Sequence, residues 1–286
     1  MNRTALFAPI AFLAAFTMAN PVVDAAVSPV GLGTATSYAV LAGTTVTNTG
    51  PSTVDASLGV SPGSAVVGFP PGLVSGGAIH AADAQAGKAK SDLVTAYNAA
   101  AGRATTVTVS ADLGGQTLVS GVYTGGALSL TGTVVLDAQG DPNAVFVFQA
   151  ASTLITASAS RVSLINGASA CRVFWQVVSS ATLGTGSSFV GTVLALTSIT
   201  AATGASIAGR LLARNGAVTL DSNTFTGAAC TRSGGNGGNT GPTIPGTGSS
   251  SSPTATMAII FLAVGLTTLV VVSRRPVRTG RTSARR

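Results

Sequence analysis

The hydrophobic rhythm of the chain changes once. From Ile79 to Ala101 the apolar or small residues Ala82, Ala86, Ala89, Leu93, Tyr97 and Ala100 step by four, three, four, four and three, while Asp83, Lys88, Lys90 and Asp92 fall between them. That period predicts an amphipathic helix with a small-residue face, begun at His80 and stopped by Gly102. From Arg103 onward β-branched residues alternate with Gly, Ser and Asn in segments of four to seven, which predicts many short strands joined by tight turns.

The strand pattern repeats. Phe189, Ile207 and Phe225 are eighteen residues apart, as are Gly191, Gly209 and Gly227, with Ser188, Ser206 and Thr224 in the same register. Eighteen residues make one coil of a solenoid, in which each coil buries a large apolar residue on the axis, turns at glycine, and pairs with the coils above and below. A looser echo sets Phe148-Gln149-Ala150-Ala151-Ser152 against Trp175-Gln176-Val177-Val178-Ser179 at an offset of 27, so coil lengths are uneven.

Outward residues decide what a solenoid can do. Successive coils lie about 4.8 Å apart and alternate strand residues about 6.6–6.8 Å apart, so a column of threonines makes a rigid two-dimensional grid. Thr200-Ala201-Ala202-Thr203 sits in one coil, with Thr182 and Thr185 at the equivalent places one coil earlier and Thr219, Asp221 and Ser222 in the next. A grid of this kind can match a crystal; a generic solvated sheet face would be built from the same residue type, because threonine favours strands.

Both ends of the chain read as targeting segments. Arg3 followed by an apolar run from Ala5 to Ala19, with small residues near Ala25 and Ala26, predicts a secretory signal over residues 1–26. A Gly/Ser/Pro-rich linker spans residues 231–254. Beyond it residues 255–273, with an uncharged stretch Ala255–Val272, are predicted to cross a membrane, and the arginine-rich residues 274–286 to stay cytoplasmic. Within the linker, Ile244-Pro245-Gly246-Thr247-Gly248 resembles the LPxTG sorting signal of Gram-positive surface proteins. It implies sortase cleavage between Thr247 and Gly248 and attachment to the cell wall; an ordinary linker turn before a permanent membrane anchor is the alternative. Either way the domain, residues 27–230, is displayed outside the cell.

Composition narrows the chemistry. The 286 residues are 46% hydrophobic and 8% charged, with 36 glycines and no glutamate. The formal net charge of +7 is carried by the ends, for residues 27–230 hold seven Lys or Arg and seven Asp. Nucleic-acid binding needs clustered cations that this domain lacks. A polysaccharide lyase or hydrolase needs closely paired carboxylates, and an enzyme is not expected. The lone His80 and the two cysteines, Cys171 and Cys230, cannot complete a zinc shell; in an exported domain the cysteines are expected to pair, closing a loop of roughly 60 residues worth about 4 kcal/mol on the chain-entropy model. Asp137, Asp141 and Asn143 bunch in one segment, where calcium is one reading and a structural turn, given Gly140 and Pro142, the other. No metal or cofactor is expected.

Several motifs then carry a resemblance. Gly33-Thr34-Ala35 through Leu41-Ala42-Gly43, Thr47-Asn48-Thr49-Gly50-Pro51, Gly59-Val60-Ser61-Pro62-Gly63, Gly68-Phe69-Pro70-Pro71-Gly72, Leu136-Asp137-Ala138-Gln139-Gly140-Asp141-Pro142-Asn143, Val173-Phe174-Trp175-Gln176-Val177 and Ala213-Arg214-Asn215-Gly216-Ala217-Val218-Thr219-Leu220-Asp221 resemble the microbial ice-binding protein family, DUF3494, over residues 31–230. The resemblance implies an all-β, discontinuous β-solenoid in which the N-terminal segment packs beside the C-terminal coils, with one long helix along its side. It also implies adsorption to ice through a Thr-Ala/Gly-x-Thr/Asn face. Thr200, Ala201 and Thr203 fit that pattern, and Thr182 and Thr185 fit it except at Leu183, which is expected to roughen the face. Many relatives carry a second cysteine pair after the helix, and Thr105 through Thr124 contain none. A surface adhesin holding a glycan through the same face is the rival class. Exposed aromatics would favour it, but Tyr38, Tyr97 and Tyr123 are scattered and Trp175 lies in an apolar strand. The expected partners are therefore an ice surface and the membrane or wall, with a monomeric ectodomain.

Overall fold

The computed structural model describes residues 27–227. They form a solenoid with three sides built from two parallel sheets. The first side is seven-stranded, in the order Leu128–Leu130, Leu154–Thr156, Ala181–Leu183, Ile199–Ala201, Val218–Asp221, Thr45–Thr49, Ala65–Val67. The other two sides share one fifteen-stranded sheet, folded along the long strands Ser188–Ala195 and Ser206–Ala213. The first half of Ser188–Ala195 pairs with Arg161–Ile165 on the second side, and its second half with Val173–Val177 on the third.

The fold line runs through glycine. Gly191 and Gly209 lie directly opposite each other, with φ of 110° and 156°. A Cβ at Gly209 would stand 2.0 Å from the carbonyl oxygen of Gly191, so only a glycine lets the two bent strands approach. The eighteen-residue period is the register itself: Phe189 faces Ile207 and Ile207 faces Phe225, all buried on the axis. The echo at 27 is also a register, Phe148 opposite Trp175 and Gln149 opposite Gln176. There the axis is filled by a column of rings, with centroid separations of 5.3 Å for Tyr123–Phe148, 3.9 Å for Phe148–Trp175 and 5.2 Å for Trp175–Phe189. The buried indole Nε1–H donates to the Val190 carbonyl at 3.0 Å.

The solenoid is discontinuous. Tyr38–Ala42 pairs with Ser206–Ala213, Thr45–Thr49 with Val218–Asp221, and Thr53 with Thr224, so the first coils of the chain extend the last ones. Asn223 fastens this junction from inside: its backbone N–H donates to Ser52 Oγ at 2.9 Å and its side chain to the Ala202 carbonyl at 2.8 Å.

Helix α1 spans Ala84–Ala101. Its start corrects the expectation of a helix begun at His80: Ile79–Ala81 is a strand added to the edge of Ser57–Val60, and Ala82 turns through a φ of 53°. Asp83 then caps the helix, accepting from Ala86 N–H at 2.8 Å. His80 therefore ends up on a strand, its Nδ1 2.7 Å from Asp83 Oδ2. The predicted small-residue face is buried, with Ala86, Ala89, Leu93, Tyr97 and Ala100 against the sheet and Gly102 as the C-cap. It covers Leu41, Val147, Phe174, Leu194 and Leu212 on the third side.

Candidate functional site

On the first side, side chains alternate in and out with period two. Thr182 lies opposite Thr200, Thr200 opposite Thr219, and Thr219 opposite Thr47. Thr182, Thr200 and Thr219 are exposed and Thr47 half-buried, so four consecutive coils put one outward row of threonines across the sheet. The row is bounded by larger apolar residues, Ile155 on one flank and Val67 on the other, each about half exposed.

Period two also fixes what lies behind the row. Ala201, expected outside between two threonines, points inward at 1% exposure, because it follows Thr200 directly in the strand. Leu183 is its opposite number and is fully buried, so it roughens nothing and instead fills the core below the face.

Thr185 and Thr203 are exposed at the corner where the chain leaves this side. Backbone hydrogen bonds carry the ladder through that corner: Gly186 N–H to Thr203 O, Gly204 N–H to Asp221 O and Ser222 N–H to Thr49 O. Thr185, Thr203, Asp221 and Thr49 thus form a corner row. Its one charge is Asp221, whose Oδ2 accepts the Thr203 hydroxyl at 2.5 Å. Among the described residues, the hydroxyls of Thr47, Thr182, Thr185, Thr200 and Thr219 make no hydrogen bond within the protein. Other outward hydroxyls are tied up, as in Thr34 to Asp92, Ser180 with Thr197, and Thr131 to Asp112.

The linear pattern alone does not place Thr47 and Thr49 on this face. Their eighteen-residue partners do not exist in the linear chain, because the coil they extend was built some 170 residues later. The Thr47-Asn48-Thr49 alternation was the available signal: outward threonines around an inward residue, with Asn48 buried.

Other candidates resolve differently. Asp137 Oδ1 accepts from Gln139 N–H and the Asn166 side chain, and Asp141 Oδ1 from Asn143 N–H, so these carboxylates organise turns. No group of His, Cys or Asp that could hold a metal ion occurs among the described residues. A groove of about 400 Å³ lies beside the start of α1, lined among others by Tyr38, Ser57, His80 and Lys88. Burial pushes the Tyr38 phenol up, and hydrogen bonds from Ala86 N–H and His80 pull the Asp83 carboxyl down. Cys171 is not a free thiol. Cys230, the predicted signal over 1–26, the linker, Thr247 and Gly248, the span 255–273 and the basic tail lie outside the described residues.

The candidate site is therefore a surface of repeating outward threonines on a solenoid braced, among the described residues, by one α-helix. The Ice-binding-like family model matches residues 40–226. An ice-binding protein of Nostoc sp. (strain HG1) is 48% identical over 204 residues, covering 70% of this chain and 75% of that protein. An ice-binding protein of Flavobacterium frigoris (strain PS1) is 34% identical over 214 residues, covering 69% and 76%. Among solved structures, an ice-binding protein from an Antarctic biological consortium superposes with a TM-score of 0.69 at 49% identity, covering 72% of this chain and 95% of that one. One from the Antarctic ascomycete Antarctomyces psychrotrophicus gives 0.67 at 44%, covering 69% and 97%. The chain belongs to the ice-binding-like family.

Proposed function

We propose that this protein adsorbs to ice through the outward row Thr182, Thr200, Thr219 and Thr47, with Thr185 and Thr203 at its edge. The observation that carries the reading is the row itself: four threonines in strict register whose hydroxyls have no hydrogen-bond partner among the described residues, in a family whose curated relatives are ice-binding proteins. Methyl and hydroxyl groups repeat at strand spacing on a backbone already ordered by folding. Water can settle over them in a lattice-like layer without a further entropy cost to the protein. Each contact is weak, and adsorption comes from many contacts forming together. No bond is made or broken, and no catalytic residue is assigned.

In the same reading, residues 1–26 export the chain and residues 255–273 hold the domain, as a monomer, at the cell surface, or Thr247 is joined to the wall after cleavage before Gly248. A Cys171–Cys230 disulfide ties the end of the domain to its middle. Thr200 is the test position because it stands on the central strand of the seven. Thr200→Tyr lifts this face off a lattice while burying nothing new, so adsorption to the ice planes this face binds, and recrystallisation inhibition with it, should fall with the melting temperature unchanged. Full ice activity in a folded Thr200→Tyr protein would remove this face from consideration.

A further inference from the structure

The hydroxyl array does not stop at the corner. Three residues beyond Thr185 and Thr203 come Ser188 and Ser206, the first residues of the long strands on the second side. Ser188 lies opposite Ser206, Ser206 opposite Thr224, and Thr224 opposite Thr53. These are the same four coils that carry Thr182, Thr200, Thr219 and Thr47. Ser206, Thr224 and Thr53 are exposed and Ser188 is half-buried. Among the described residues none of the four hydroxyls makes a hydrogen bond within the protein. Both rows are bounded by large side chains at the same coils: Arg161 opposite Ser188 and Leu73 opposite Thr53 on this side, Ile155 and Val67 on the first.

The corner between them is regular too. The residue after each corner position, Gly186, Gly204, Ser222 and Gly50, has φ of 62°, 71°, 53° and 73°. One left-handed residue per coil turns every chain at the same place, so the two rows stay parallel across all four coils while lying on different sheets. Two residues further along these strands, on the same outward face, Val190 and Ala208 are half-buried and Thr226, opposite Ala208, is exposed. Nothing larger than threonine stands between Arg161 and Leu73 along the row itself.

We propose that the second row, Ser188, Ser206, Thr224 and Thr53, is a second ice-binding facet, which meets the first at the corner and lets one molecule adsorb to ice planes of two orientations. This inference rests on the reading of the first side as an ice-binding face. Its argument is chemical: both rows offer unpaired hydroxyls at one coil spacing and over one width, and a lattice presents planes in several orientations. An edge with such a facet on each side fits steps between planes as well as the planes themselves.

The test uses the fluorescently labelled full-length chain on a single-crystal ice hemisphere. The variants are Thr200→Tyr, Ser206→Tyr and Thr224→Tyr, each checked for an unchanged melting transition. Both second-side positions are exposed, so at least one of those two variants should fold as the parent does. The expected result is that Thr200→Tyr keeps staining a set of planes that Ser206→Tyr or Thr224→Tyr loses, and the converse. Should both second-side variants stain as the parent does while Thr200→Tyr abolishes staining, only the first side binds and the second facet is refuted. Loss of the same planes by variants on both sides also refutes a separate facet. Staining unaffected by all three variants overturns the reading of the first side along with it.

Discussion

Two outward rows on the same coils show how one backbone pattern is put to opposite uses. On the third side the row runs Gln149, Gln176, Leu194, Leu212, Leu41, and its leucines are fully buried under α1. On the first side the row is threonine and open. Thr200 lies only six residues after Leu194, in the next strand, and has the same relation to the axis. The covered row needs a lid, and the lid must satisfy its own polar groups. Gln149 Nε2 donates to the carbonyls of Ala100 and Arg103 at the end of α1, at 2.8 and 3.0 Å, and Gln176 Nε2 to Tyr97 Oη at 2.8 Å. Lys90 Nζ, buried, donates to the carbonyls of Ala213 and Arg214 at 2.6 and 2.5 Å. The open row satisfies its hydroxyls with solvent and can exchange that solvent for another ordered partner. Stability is thus concentrated on one side and the face proposed for ice on another, with the shared axis between them.

The sharpest way to break this division is to cut into the covered row. Leu212→Ala removes a fully buried side chain below the helix and should cost about 2–5 kcal/mol in chemical denaturation. The fraction still folded should bind ice as the parent does. If it does not, the helix side shapes the threonine face and the two are not separable.

A smaller effect isolates the lid by pH. Burial, and then the neighbouring Arg214 charge, hold the Lys90 ammonium at about 8, well below its usual 10.5. The folded chain therefore gives up this proton before the unfolded chain does. Between about pH 8 and 10.5 the unfolded state binds more protons, and stability contributed by this group rises with pH across that window. Tyr38, Tyr97 and Tyr123, pushed up mainly by burial, act in the opposite sense at higher pH. Subtracting the pH profile of Lys90→Met from that of the parent, each measured by denaturant midpoint, should leave a positive slope from pH 8 to 10. A flat difference would mean that water reaches the ammonium.

The smallest effect on the fold is expected from Thr219→Val, which keeps the methyl groups of the open row and removes one hydroxyl. Stability should move by no more than about 0.5 kcal/mol, as for other outward substitutions. Recrystallisation inhibition measured on the same sample separates the two parts of the threonine: retained activity assigns adsorption to shape and methyl contact, reduced activity to the hydroxyl.

The eighteen-residue period, the helix with its alanine face and its stop at Gly102, and the motifs of the family were legible in the linear chain. Each is a local or strictly repeating pattern, and repetition forces identical neighbours into contact. The eighteen-residue spacing alone pairs Thr200 with Thr182. It does not fix the direction of Ala201 and Leu183, because alternation says only that neighbours in a strand point apart, and packing around Ile199, Leu183 and Leu220 decides which of them faces the axis. The start of α1 depended on a distant partner too, since Ile79–Ala81 becomes strand only where Ser57–Val60 offers an open edge. Thr47 and Thr49 joined the grid, and Thr53 the second row, only because the N-terminal coil stacks on the C-terminal one. That junction is made by hydrogen bonds between segments about 170 residues apart, and no local pattern encodes which open edge a strand will find.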